Sequence, residues 1–280
     1  MVDARRRDRG PVPSAMSPNS LPARRVRPVD LPARRRPRLT RVRVRLTDGL
    51  RTTLHVASYD RQVVSPRVAV LDEPMPLVRW CRINGVCDAL VGGFFLRSQG
   101  VALGHVRIGG ATQPSVAFDA PWGAVRACVH AGPRGLTIAR RDQLAGEPAG
   151  DLLQAGPLLV AGGRTVYTDG EDPEGFSAGA HQFDSDITAG RYPRAALGIA
   201  GDRVLAVACD GRSRRDAGMT LGELAGALVA LGANDALNLD GGGSASLVHA
   251  GRLRNRPRGQ HGADLLEGRP IATAIVFDPT

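Results

Sequence analysis

Along most of the chain, apolar and polar residues alternate with a period of two, and the alternation is broken by glycine pairs. That pattern predicts half-buried strands joined by tight turns. In RVRVRLTDGLRTTLHV, residues 41–56, two such segments flank Asp48-Gly49, a β-hairpin signal. RVAVL at 67–71 predicts another strand. DALVGGFF at 88–95 is an apolar run carrying Gly92-Gly93, as expected of a buried strand approached closely by another backbone. VALGHVRIGG, VRACVHAG and LLQAGPLLVAGGRTV continue the rhythm. AALGIA and RVLAVACDGR flank a Gly201-Asp202 turn, and IATAIVF at 271–277 predicts a final buried strand. A helical period stands out in TLGELAGALVALGA, residues 220–233. Thr220 is placed as N-cap with Glu223 completing a capping box, Leu221, Leu224, Ala227, Leu228 and Leu231 form the stripe, and Gly232 closes it. Together these predict an α+β fold: one domain over 39–280 with a mixed, strand-rich sheet core and few helices.

Two stretches fall outside the pattern. Residues 1–38 are rich in Arg and Pro and are expected to be disordered. Residues 167–192, YTDGEDPEGFSAGAHQFDSDITAGRY, form a long acidic, Gly-rich loop. Loops of that length are often functional, although its acids are expected to lie in solvent.

Charge changes the picture less than its total suggests. The net charge is +10, but residues 1–38 hold 11 Arg and 3 Asp, leaving 26 Arg against 24 acids in the rest. A nucleic-acid reading therefore rests on the N-terminal segment alone and is disfavoured. With 4% aromatics, a stacking surface for single strands or glycans is also disfavoured. All 37 basic residues are Arg, which excludes Schiff-base and P-loop lysine chemistry and leaves guanidinium groups and backbone amides to hold anions. The cysteines at 81, 87, 128 and 209 match no zinc spacing, and DGEDPEG and DSD do not follow an EF-hand. No metal or cofactor is expected. His181 in the acidic loop and the other five histidines are not assigned to catalysis. No stretch approaches the roughly 18 apolar residues of a membrane span, and no signal peptide is visible, so a cytoplasmic protein with reduced thiols is expected.

The densest chemistry lies in DALNLDGGGSASLVHAGRLRNRP, residues 235–257. Asn238 and Asp240, two apart on a strand, share a face. Gly241, Gly242 and Gly243 let the backbone present bare amides, and Ser244 adds a hydroxyl. A carboxylate beside such a cradle suits a ligand with hydroxyls and an anionic group. A bulged turn in which Asp240 caps loop amides is the alternative.

With VGGFF (91–95), LLQAGPLLV (152–160), YPRAALGI (192–199), ACDGR (208–212), the block at 218–248, RNRP (254–257) and GRPIATAIVF (268–277), the chain resembles the phosphodiester glycosidase family. The resemblance implies a hydrolase that cleaves between the anomeric carbon of a sugar, such as N-acetylglucosamine, and a phosphodiester oxygen, with a sugar-phosphate or glycan substrate as its partner. It departs from the family at Val91, where the pattern has Asn, and at Ala195, where it has Thr. A catalytically silent sugar-phosphate binder of the same fold is the alternative reading.

A phosphate ester leaves readily, so the chemistry needs one carboxylate near the sugar and cations near the phosphate rather than two glycosidase carboxylates. Asp240 is expected to be that carboxylate and Asp210 the second candidate. Arg194 is the first expectation for phosphate, Arg212 the second and Arg269 the weakest. Asn238 and Ser244 would bind hydroxyls or orient Asp240. Gly241, Gly242 and Gly243 would give close approach and amides, and Gly92 and Gly93 would line the pocket.

Overall fold

The computed structural model describes residues 36–177 and 187–280. The N-terminal segment up to residue 35, His181 and the DSD triplet lie outside the described residues.

The expected hairpin opens the structure. Strand Arg38–Arg45 pairs with Arg51–Asp60, and the Leu50 amide donates to the Asp48 carboxylate at 3.1 Å while Gly49 takes φ +85°. These strands begin a seven-stranded sheet that continues through Arg203–Cys209, Arg194–Ala200, Asp235–Asn238 and Leu158–Ala161 to Arg164–Thr165. A second sheet has five strands, centred on Ala127–Gly132 and Asp151–Gln154. A third places Ala89–Val91 between Leu247–His249 and Pro270–Pro279. Every ladder between these strands is antiparallel, and the one parallel pairing among the described residues is the isolated bridge Leu103↔Val116, outside the sheets.

Alternation decides the layers. On the seven-stranded sheet, Ala196, Val207, Val56 and Val160 face helix Leu221–Ala230, which buries Leu221, Leu224, Ala225 and Leu228 against them. Ala195, Leu197, Ala206 and Ala57 point the other way, into a core shared with Val68, Leu90 and Ile275 of one five-stranded sheet and with Val129, Ile138 and Leu153 of the other. The capping box forms as expected: the Glu223 amide donates to Thr220 Oγ1 at 3.1 Å and the Thr220 amide to Glu223 Oε2 at 3.0 Å. Two short helices, Leu77–Ile83 and Trp122–Val125, carry no such signature.

The acidic loop differs from expectation. Glu174 is fully buried rather than solvated: its carboxylate accepts from the amides of Ala127 at 2.8 Å and Leu158 at 2.7 Å. Arg126, equally buried, lies 4.1 Å over Phe118 and 4.2 Å over Phe176 and donates to the carbonyls of Glu174 and Gly175. Residues 174–176 close over the sheets because Glu174 meets two amides there and Arg126 two rings and two carbonyls.

Candidate active site

Three strands converge to build the pocket. Asn238 ends strand Asp235–Asn238, Arg194 begins strand Arg194–Ala200, and the Leu239 amide extends their ladder by donating to the Ala195 carbonyl at 2.9 Å. The next amide, that of Asp240, donates to Gly92 of the third sheet at 3.0 Å. Asp240 therefore sits on the seam between two sheets. Gly92 makes this seam possible, because a Cβ there would lie 2.4 Å from Thr273 Oγ1 and 2.7 Å from the Thr273 carbonyl carbon. Gly93, whose amide donates to Thr273 Oγ1 at 3.0 Å, tightens the same crossing. Neither glycine lines the pocket; the residues that follow them, Phe94 and Phe95, do.

Asp240, Asn238, Ser244, Gly241, Gly242, Arg194, Arg212 and Arg269 are brought together around that pocket, joined by Arg97, Tyr192, Ile187 and Gln260. Asp240 is the one acidic side chain lining it among the described residues, and it faces four arginines. Desolvation pushes its carboxyl up to about 6, against the opposing pull of hydrogen bonds from Ser244 and the Gly241 amide and of the Arg269 and Arg97 charges. The carboxyl thus titrates close to neutrality, as a proton acceptor must.

Asp210 is placed elsewhere. It is buried outside the lining, with one carboxylate oxygen 2.9 Å from His55 Nε2 and the other accepting the Arg256 amide at 2.7 Å. Both oxygens tie strand Arg51–Asp60 to the loop after strand Leu247–His249.

Arg194 lines the pocket, but its guanidinium is engaged: Nε donates to Met219 O at 3.0 Å, Nη1 to Ile187 O at 2.9 Å and Nη2 to Gly190 O at 3.1 Å. It anchors the returning end of the acidic loop, and burial lowers its pKa to about 10. Arg212 makes one side-chain hydrogen bond, to the Arg258 carbonyl at 3.0 Å, and its pKa is lowered by burial and by the Arg269 charge. The Arg269 guanidinium has no hydrogen bond or ion pair among the described residues; its backbone amide donates to Gly243 O at 2.9 Å.

Two of the three glycine amides are engaged, and Gly242 and Gly243 also leave room for guanidinium groups. The Gly241 amide is taken by Asp240 Oδ1 at 2.8 Å and the Gly242 amide by the Pro193 carbonyl at 2.8 Å, so neither is a bare amide facing the pocket. A Cβ on Gly242 would lie 3.3 Å from both terminal nitrogens of Arg212, and one on Gly243 would lie 3.0–3.1 Å from Arg269. Tyr192 supports the same cluster, its ring centre 5.2 Å from Arg194 and 5.4 Å from Arg212. Asn238 donates from Nδ2 to Gly156 O at 3.0 Å while its buried Oδ1 has no partner.

Sequence reasoning quoted Tyr192, Phe94 and Phe95 inside motifs without assigning them, and missed Arg97 and Gln260, which carry no local signal. Among the described residues no cluster of three or more His, Cys, Asp or Glu side chains could hold a metal ion. Among the described residues no helix is long and apolar enough to cross a membrane.

The chain belongs to the phosphodiester glycosidase family, whose model matches residues 84–278. Among solved structures it is similar to the catalytic domain of zebrafish N-acetylglucosamine-1-phosphodiester alpha-N-acetylglucosaminidase, auto-inhibited by its pro-peptide, with a TM-score of 0.64 and 18% identity over 86% of this chain and 82% of that one. It is also similar to a hypothetical protein from Synechocystis (TM-score 0.58, 20% identity, 85% and 61% coverage). A third is a putative exported protein from Burkholderia pseudomallei (TM-score 0.53, 14% identity, 82% and 74% coverage). At these identities the likeness is one of fold. A search of curated protein sequences finds no match.

Both departures from the family pattern fall in the core. Val91 and Ala195 are fully buried among apolar side chains and neither lines the pocket.

Proposed function

We propose that the protein hydrolyses the glycosidic bond of a sugar-1-phosphodiester, releasing free sugar and a phosphomonoester. One observation carries the reading: among the described residues a single carboxyl, raised to about 6, lines a pocket that also holds four arginines. Asp240 acts as the base. It takes a proton from water as the water oxygen bonds to the anomeric carbon; the bond from that carbon to the phosphodiester oxygen breaks, and both its electrons leave with the phosphate. The departing phosphate is a weak base and needs charge stabilisation rather than a proton, which suits the single carboxylate in the lining among the described residues.

Arg212 and Arg269 hold the phosphate, in place of Arg194. They repel one another and converge on one space, and Arg269 lacks any protein partner among the described residues, so an anion between them relieves a cost the empty pocket carries. N-acetylglucosamine-1-phosphate diesters are the first substrates to try, since the zebrafish structure bears that activity in its name.

The test is release of free sugar from a panel of sugar-1-phosphodiesters by the wild type and by Asp240→Asn. Release by the wild type, reduced at least about 10²-fold in a folded mutant, supports the assignment. Equal turnover by both removes Asp240 from the mechanism. A diester that raises the melting temperature of the wild type and is never cleaved identifies a binder of the same fold.

A further inference from the structure

The folded part of the chain is almost neutral, yet one face is not. Arg41, Arg43 and Arg45 alternate along the edge strand Arg38–Arg45, all exposed and on one side of it. Their cross-strand partners lead to the pocket rim, rung by rung. Arg41 stands opposite His55, whose ring meets Asp210, and Asp210 receives the amide of exposed Arg256. Arg43 stands opposite Thr53 and bonds both Asp216 and the Arg215 carbonyl, so the turn 213–216 packs against it with Arg214 and Arg215 outward. Arg45 stands directly opposite exposed Arg51, a like-charge pair that costs the sheet stability. Both acids on this face, Asp210 and Asp216, are buried and already bonded. The same short loop that carries Arg214 and Arg215 begins with Arg212, which lines the pocket.

We propose that this arginine ladder docks a phosphodiester polymer whose sugar-phosphate unit enters the pocket, so that the substrate class is a polyanionic glycan rather than a small metabolite. The inference rests on the glycosidase reading of the pocket. Three physical features select the polymer. Arg41 and Arg45 stand two rungs either side of Arg43, which Asp216 neutralises, so the open charges are spread along the strand over roughly 13–14 Å, a length that an extended polyanion spans and a single phosphate does not. An anion lying over Arg45 and Arg51 offsets their repulsion, since the nearby Asp48 carboxylate is already paired with Arg191. None of the ladder side chains is aromatic, so the face has no platform for stacking bases, and nucleic acid is the less suited polyanion.

The experiment measures binding of linear polyphosphate to the full chain across a salt series, beside the triple variant Arg41→Glu, Arg45→Glu, Arg214→Glu. A flexible polyanion held by four or more arginines should show a log–log salt slope of about −3. The triple variant should bind at least 10-fold more weakly, with turnover of a small diester unchanged. A second variant, Arg214→Ser with Arg215→Ser, alters only exposed side chains at the turn and should weaken binding by a smaller factor, which separates lost charge from lost fold. Binding unchanged by both variants would place the polyanion on the N-terminal segment and overturn the proposal, as would no binding at low salt. Tighter binding of an oligothymidylate of equal charge would overturn it in favour of nucleic acid. Failure of the glycosidase reading shows separately, as no release of sugar from any small diester by the wild type.

Discussion

Glu174 and Asp240 are both carboxyls set beside arginine, and burial raises the pKa of each. Their surroundings differ in completeness. Glu174 receives two backbone amides, and neighbouring Arg126 is sandwiched by two rings and bonded to two carbonyls. Around Asp240 and among the described residues, Arg269 has no hydrogen bond or ion pair from its guanidinium, Arg212 has one hydrogen bond and one ring contact, and Asn238 Oδ1 has no partner. Burial of a charge therefore does not mark a site here. Unmet hydrogen-bonding capacity marks one only where it lines a pocket beside a perturbed carboxyl, since Ser246 Oγ, buried outside the lining, also lacks a partner among the described residues.

The sharpest way to break this contrast is to neutralise each carboxyl. Asp240→Asn should lose about 10²- to 10⁴-fold in kcat without losing stability at neutral pH. Glu174→Gln should do the reverse. Its amide nitrogen must face a backbone N–H that now has no acceptor, so unfolding free energy should fall by about 2–4 kcal/mol, with activity per folded molecule retained. Denaturant titration alongside an activity assay reads both. A Glu174→Gln enzyme that is stable but dead would erase the distinction.

Smaller effects sharpen the open side. Arg269→Met should raise KM for a phosphodiester by about 10- to 100-fold, the loss of one or two charge-assisted hydrogen bonds. Gly243→Ala keeps every charge but puts a methyl 3.0–3.1 Å from the Arg269 guanidinium and 2.9 Å from Leu265, so it should shift that guanidinium and raise KM by about 3- to 10-fold. If Gly243→Ala matched the wild type, the glycine would be packing against Leu265 alone.

Features governed by near neighbours were legible in the sequence. The hairpin at Asp48-Gly49, the capped helix after Thr220 and the strand running into Asp240 each depend on residues a few positions apart. The family pattern drew attention to the right strands for the same reason. What stayed hidden depends on distant chain segments. Nothing around Arg194 shows that Met219, Ile187 and Gly190 turn their carbonyls towards it, and nothing around Arg269 shows that no such partners meet it. Local composition ranked the two arginines in the opposite order from their availability. Glu174 read as a solvated loop acid because its complement of amides comes from residues 127 and 158. Gly92 and Gly93 read as pocket lining, although the constraint on them is the Thr273 backbone of a strand about 180 residues away in the chain.

The smallest effect tests the electrostatics of the open side directly. Because the Asp240 carboxyl titrates near 6 when folded and near 3.8 when unfolded, the native state binds more protons between those values. Stability contributed by this group is therefore greatest below pH 4, declines as pH rises through the window and stays at the lower level above about 6. Glu174, also raised, acts with the same sign, so the wild type alone cannot isolate either group. The difference between wild type and Asp240→Asn can. Relative to the wild type, the Asn variant should gain a few °C in melting temperature on going from pH 4 to pH 7. A melting difference that is flat across this window would mean that Asp240 is ordinarily solvated, and the base would have to be sought elsewhere in the pocket.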